Sequence, residues 1–311
     1  MPLKSLSDLI GQLSVKTVLK KSLFNTTEAA IPNFPGNLAK FPLTTSSRHA
    51  SICYRSAIAL KLAASEPSKA KAIANQFIEV TKGWEDVKFF PEVPKAITNT
   101  PQGRLQADAQ GWITLTLSEA GIAAWLQGLN DFPLARELEQ IGSVGSPQMD
   151  RLRSLPLCSR LQLSLPLLLQ FGHVRCCAWL RYRDETDHRV SSDQRGVDDE
   201  GDDQSLAWRE LPATQWGWSD KSPSACYQLL QAIVQAVDTM ADQSGEPTTC
   251  LRQGYVLVEA IYAFQSAIPL GTIYDLPAEI QVSIWSLTRA AQQVLMLVIV
   301  GVLQQTPAQS F

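Results

Sequence analysis

The densest set of residues able to do chemistry lies in one stretch, Leu165 to Arg183, reading LPLLLQFGHVRCCAWLRYR. On a helix, at about 100° per residue, Leu165, Leu168, Leu169, Gly172, Cys176, Trp179 and Leu180 form one apolar stripe. His173 falls on one shoulder of that stripe and Arg175 on the other, with Arg181 and Arg183 a few residues on. Guanidinium groups at a rim suit phosphate neutralisation, and a lone histidine without a carboxylate or serine motif nearby makes no catalytic pair. A second basic group, Lys16, Lys20 and Lys21, lies on a helical pattern near the N-terminus. Phe311 is an aromatic on an otherwise polar tail, a position better suited to stacking on an unpaired base than to a core. Two readings stay open for the candidates Lys16, Lys20, Lys21, His173, Arg175, Arg181, Arg183 and Phe311: contacts to RNA, or a solvated lysine face, a satisfied rim histidine and arginines placed for a helix C-terminal dipole. No catalytic residue, cofactor or metal is expected. Gly142 and Gly145 fit neither a P-loop nor a dinucleotide fingerprint.

Composition agrees with a folded chain of two ordinary domains: 311 residues, 45% hydrophobic and 18% charged. The six cysteines include an adjacent pair, Cys176 and Cys177, and show no CxxC or Cys/His ligand spacing, so reduced thiols in a cytoplasm are expected. The N-terminal stretch mixes lysines into its apolar pattern and has no continuous apolar segment of the secretory kind. The longest apolar run, Val294 to Leu303, is half of the roughly 20 residues a membrane span needs. Charge is uneven. Residues 1–130 hold 14 Lys/Arg against 9 Asp/Glu, a balance of +5, within a net charge of −3. Asp184 to Asp203 holds nine acids and two arginines, a balance of −7. That segment reads either as a solvated loop or as an internal competitor for the arginines beside it.

The elements that must position these residues follow from periodicity. Residues 1–24 predict one amphipathic helix, 28–47 a short strand and a loop, Ser51 to Ala64 a helix, and Pro67 to about Val80 another. Strands are predicted at 86–90, at 103–107 and at 111–117. In the last of these, Trp112, Thr114 and Thr116 alternate with Ile113, Leu115 and Leu117. Ser118 caps a helix to Leu129. After 165–183 and an expected acidic loop, 184–222, helices resume at 224–241, 251–267 and 277–305, the last apolar nearly all round. The fold class is α+β: a small α+β N-terminal domain at 1–130, a linker at 131–164, and an all-α bundle at 165–311.

Several runs, in order, carry a family likeness. Gln170-Phe171-Gly172-His173-Val174-Arg175 is similar to the Gln-Tyr-Ala-His-Ala-Arg run that opens the DALR anticodon-binding domain of arginyl-tRNA synthetases. Tyr54 to Ala63, Ala70 to Ala74, Gly111 to Leu117 and Trp125-Leu126 resemble the N-terminal domain of that family, the one that touches the elbow of tRNA. Tyr255 to Ala260, Phe264, Pro269, Ser286 to Val298 and Pro307 resemble the rest of its bundle, with Gln265 replacing a Tyr. The Gly-Asp that precedes the family Tyr is replaced by Ile52-Cys53. About 35 residues stand where the family has its catalytic domain. The chain lacks His-x-Gly-His and Lys-Met-Ser-Lys motifs. The resemblance implies a non-catalytic, cytoplasmic relative of arginyl-tRNA synthetase of class I bundle type that binds tRNA or another structured RNA. The genuine synthetase or another protein is the alternative partner, with the bundle reused for docking or assembly.

Overall fold

A computed structural model describes residues 6–31, 34, 36–46, 51–63, 66, 69–80, 103–134, 163–194, 223–242, 246–305 and 307–308. The expected strand at 86–90, most of the 131–164 linker and Phe311 lie outside these residues. The chain divides into two compact units, Gly11–Gly128 and Met1–Ile10 with Leu129–Phe311. Among the described residues it is mostly helical with a four-stranded antiparallel sheet, an α+β arrangement.

The sheet belongs to the first unit. Its strands are β1 (Thr44–Ser46), β2 (Cys53–Ser56), β3 (Gly103–Ala107) and β4 (Ile113–Leu117), in the spatial order β1-β2-β4-β3. In β4 the alternation read from the sequence becomes two faces: Ile113, Leu115 and Leu117 are buried, and Thr114 and Thr116 are half-buried. The register sets Thr44, Arg55, Thr114 and Gln106 side by side on the more exposed face. Tyr54 lies with Leu115 on the inner face. The helices of this unit include α2 (Val15–Ala30), α3 (Ile58–Leu62), α4 (Ala70–Val80) and most of α5 (Glu119–Asp131). The Ser118 hydroxyl accepts from the Gly121 N–H at 3.1 Å, the expected cap of α5.

Two sequence expectations are corrected in this unit. The N-terminal helix is broken into α1 (Leu6–Leu13) and α2, because Ser14 is extended (φ −74°, ψ 121°) and its hydroxyl accepts from Thr17 N–H at 3.0 Å. The 51–64 helix is instead strand β2 followed by the short α3. Cys53 to Ser56 pair with β1 on one side and β4 on the other, so two ladders of hydrogen bonds outweigh a local apolar pattern that would also suit a helix.

The second unit is a bundle of α6 (Leu165–Gln194), α7 (Ser224–Asp242), α8 (Pro247–Ala267) and α9 (Ala278–Gly301). α9 is long and apolar enough to cross a membrane by length and composition, with mean hydropathy 1.3, but 78% of that window is buried inside the fold. It packs on α6, α7 and α8, and Ile284, Leu287, Ala291, Leu295 and Val298 are almost fully enclosed. Close approach of α6 depends on Gly172, where an added Cβ would stand 2.7 Å from Val258 Cγ2 and 3.2 Å from Leu295 Cδ1. α6 also corrects the expected start of the acidic loop, for 184–194 are helical. No Gly or Pro interrupts the sequence between Gly172 and Gly196, so nothing local stops the helix at Asp184. Residues 195–222 lie outside the described ones.

Candidate nucleic-acid interface

α6 presents its chemistry on two flanks, set by four-residue spacing. Phe171 and Arg175 form the first and meet α8. Phe171 stacks on Tyr262 with ring centroids 6.1 Å apart and planes 19° from parallel. The Arg175 guanidinium lies 4.8 Å from the centroid of Tyr262, and its Nε donates to Gln265 Oε1 at 2.6 Å. All three side chains are half-buried. Gln265 is buried, and its Nε2 has no hydrogen-bond partner. A guanidinium stacked on one ring keeps its other face and several N–H groups for a further planar or anionic group.

Gln170, His173 and Cys177 form the second flank. The backbone of Ala308 is clamped there: its N–H donates to Gln170 Oε1 at 2.7 Å, and its carbonyl lies 2.8 Å from His173 Nδ1. A carbonyl only accepts, so Nδ1 carries the proton and the buried Nε2, which has no partner, is the bare nitrogen. Cys177 Sγ is 3.6 Å from the same Nδ1 and receives the Gln292 side-chain N–H at 3.0 Å. With its nearer nitrogen already donating, His173 cannot take the thiol proton, and burial pushes the Cys177 thiol pKa up. His173, with Gln170, therefore clamps the chain, and the Cys177–His173 pair does not form a nucleophile. Burial likewise raises the thiols of Cys226, to about 12, and Cys250, to about 11. Among the described residues no group of three His, Cys, Asp or Glu side chains gathers as metal ligands.

His173 is held below its usual pKa, first by burial and then by the Arg289 cation, against the opposing hydrogen bond to Ala308. The unfolded chain protonates this histidine near pH 6.5, whereas the folded one resists until lower pH. The unfolded state then binds more protons, so stability is lost as pH falls below about 6.5. The urea midpoint should drop between pH 7 and pH 5, and His173→Gln, which keeps a donor for Ala308, should flatten that drop. An identical pH dependence in the variant would sink this assignment.

The candidates named from the sequence are thus sorted. Arg175 is half-buried on the first flank and Arg181 is exposed. His173 is corrected from rim to interior, at 3% exposure, because the Ala308 backbone covers it, and Arg183, expected at the helix end, is 9% exposed within α6, which runs on to Gln194. Lys20 donates to the Ala39 carbonyl at 2.9 Å, Lys16 is half-buried beside it on α2, and Lys21 is exposed. Phe311 lies outside the described residues.

Sequence reasoning missed two aromatic platforms. One is Phe171 with Tyr262. The other is Trp112, over whose ring Arg55 lies 4.6 Å from the centroid while pairing with Asp108 at 2.9 Å. The outward phase of Trp112 with Thr114 and Thr116 was visible in the strand alternation, but its arginine comes from a different strand. Nothing in the sequence marks Tyr262 as the partner of Phe171. No family model, curated protein or solved structure matches this chain.

Proposed function

We propose that the chain is a non-catalytic RNA-binding protein, a tRNA-type binder built from an arginyl-tRNA synthetase-like N-terminal domain and a DALR-type bundle. The observation that carries this reading is one device found in both units: an arginine laid on a partly exposed aromatic ring, Arg55 on Trp112 and Arg175 on Tyr262. RNA loops are commonly held by stacking bases on aromatic faces and guanidinium planes while the cation meets phosphate. The unpartnered Nε2 of Gln265, beside Arg175, offers a further donor at the same flank. The +5 balance of residues 1–130, with Lys16, Lys20 and Lys21 on α2, adds long-range attraction.

The test is titration of unmodified tRNA transcripts against the full chain at two salt concentrations. Tyr262→Ala and Trp112→Ala should each weaken binding about 5- to 100-fold, the scale of one lost base-stacking contact. Retention of tRNA affinity in the double variant would remove the reading. Recovery of a protein partner in place of RNA, with affinity unaffected by these substitutions, would favour the docking alternative.

A further inference from the structure

The second flank of α6 holds a thiol in a setting that a cysteine filling space does not need. Cys177 Sγ lies 3.6 Å from His173 Nδ1 and receives the Gln292 side-chain N–H at 3.0 Å. Burial pushes its pKa up, while the Gln292 hydrogen bond and the charges of Arg181 and Arg289 pull it down. Nearby cations are what activate reactive thiols. His173 is 3% exposed, and its Nε2 has no hydrogen-bond partner. What keeps this imidazole from acting as a base is Ala308, whose carbonyl holds the proton on Nδ1. The chain reaches Ala308 through an exposed turn: Gln304 has φ +56°, a region that residues with a Cβ rarely adopt, and Gln305 beside it is also exposed. Ala308 itself is half-buried and meets α6 through its backbone N–H and carbonyl. Exposed segments of this kind open at lower cost than the helices they pack on.

We infer that Cys177 and His173 form a thiol–disulfide exchange site, taking a small-molecule disulfide, that the chain closes with its own Ala308. When Ala308 lifts, Nδ1 loses the acceptor that fixed its proton. The imidazole then gives up that proton to solvent and takes one at Nε2, so that Nδ1 turns a lone pair to the thiol. The S–H proton passes to Nδ1 and leaves a thiolate beside an imidazolium, with the Gln292 N–H still on the sulfur. The thiolate attacks one sulfur of the disulfide. A bond forms between that sulfur and Cys177 Sγ, the original S–S bond breaks, and its electron pair leaves on the second sulfur, which takes the proton from His173. The disulfide is reduced to one thiol and Cys177 is oxidised to a mixed disulfide, so no further oxidant enters. Exchange asks little of the surroundings: it needs a thiolate and a returning proton, whereas acyl transfer also needs donors aimed at an oxyanion. The site uses the flank of α6 away from Arg175 and Tyr262, so it does not depend on the RNA reading.

The test is the rate at which dithiodipyridine modifies Cys177 in the full chain, with tandem mass spectrometry to tell it from Cys176. Ala308→Pro removes the N–H that Gln170 accepts, and Ala308→Ser keeps it. The rate at Cys177 should rise about three- to tenfold in Ala308→Pro, the shift in opening that one lost hydrogen bond gives, and stay near that of the unaltered chain in Ala308→Ser. Cys226, fully buried in α7, is the internal reference and should not change. Adding His173→Gln to Ala308→Pro should lower the Cys177 rate again by about tenfold or more, because the base is lost. A second readout leaves His173 in place: in Ala308→Pro the rate should rise less than about threefold between pH 7 and pH 8, where an unassisted thiol of pKa near 8.5 gains about eightfold. Equal rates in the proline and serine variants, or a rise that Cys226 shares, would overturn the closure by Ala308. A rise undiminished by His173→Gln, or the full pH dependence of an unassisted thiol, would overturn the pairing of Cys177 with His173.

Discussion

Trp179→Ala should destabilise the helical bundle by about 3–5 kcal/mol, the usual cost of truncating a buried indole. Trp179 is 7% exposed on α6 and joins two other elements through its ring. Its centroid is 5.7 Å from Phe264 on α8 and 6.2 Å, edge-on, from Trp285 on α9. Tyr274 continues the cluster at 6.3 Å from Trp285. Removing the indole leaves a cavity between three helices that are already tightly packed, for an added Cβ at Gly172 or Gly254 would meet neighbouring side chains at 2.7 and 2.9 Å. Urea unfolding followed by near-ultraviolet circular dichroism would report the loss. Trp179→Phe, which keeps an aromatic surface for Phe264, should cost less than half as much. A loss below about 1 kcal/mol for the alanine variant would show that the cluster is not a core at all.

Gly111→Ala should cost the α+β unit about 2–5 kcal/mol, from two additive sources. Gly111 has φ +90°, in the region that L-residues rarely enter. A Cβ there would stand 2.7 Å from the Ala70 Cβ and 2.8 Å from its carbonyl carbon, so the clash is with backbone at the start of α4 and cannot be relieved by a rotamer. Asp108 builds the turn: its Oδ1 accepts from Gln110 N–H and Trp112 N–H, both at 2.9 Å. It also holds Arg55 against the Trp112 ring. If the chain binds RNA as proposed, the variant should weaken that affinity along with stability. Gly128→Ala is the control, because that position lies inside α5 with nothing within 4 Å of an added Cβ. It should stabilise by about 0.5–1 kcal/mol. Equal effects of the two substitutions would refute the account of Gly111.

The two flanks of α6 show why one helix can hold residues of opposite fate. Arg175 and Phe171 are one turn apart and lie against Tyr262 and Gln265, half-buried. Gln170, His173 and Cys177 follow the same spacing on the other side and are closed by Ala308 and Gln292. Residue type alone does not separate them.

Elements whose pattern is complete within a few turns are legible in the order of residues alone. α7, α8 and α9 follow from apolar residues at three- and four-residue spacing, β4 from strict alternation, and the start of α5 from Ser118. Each depends on neighbours in the chain, so a local reading finds them. Contacts between distant segments set the others. Cys53 to Ser56 became a strand because β4, about sixty residues on, offers them a ladder. His173 became an interior clamp because Ala308, 135 residues later, lies over it. Trp112 and Tyr262 became platforms because an arginine from another element lies on each. Local periodicity records which face of an element is apolar; what covers that face, and which polar group it leaves without a partner, depends on segments far away in the chain.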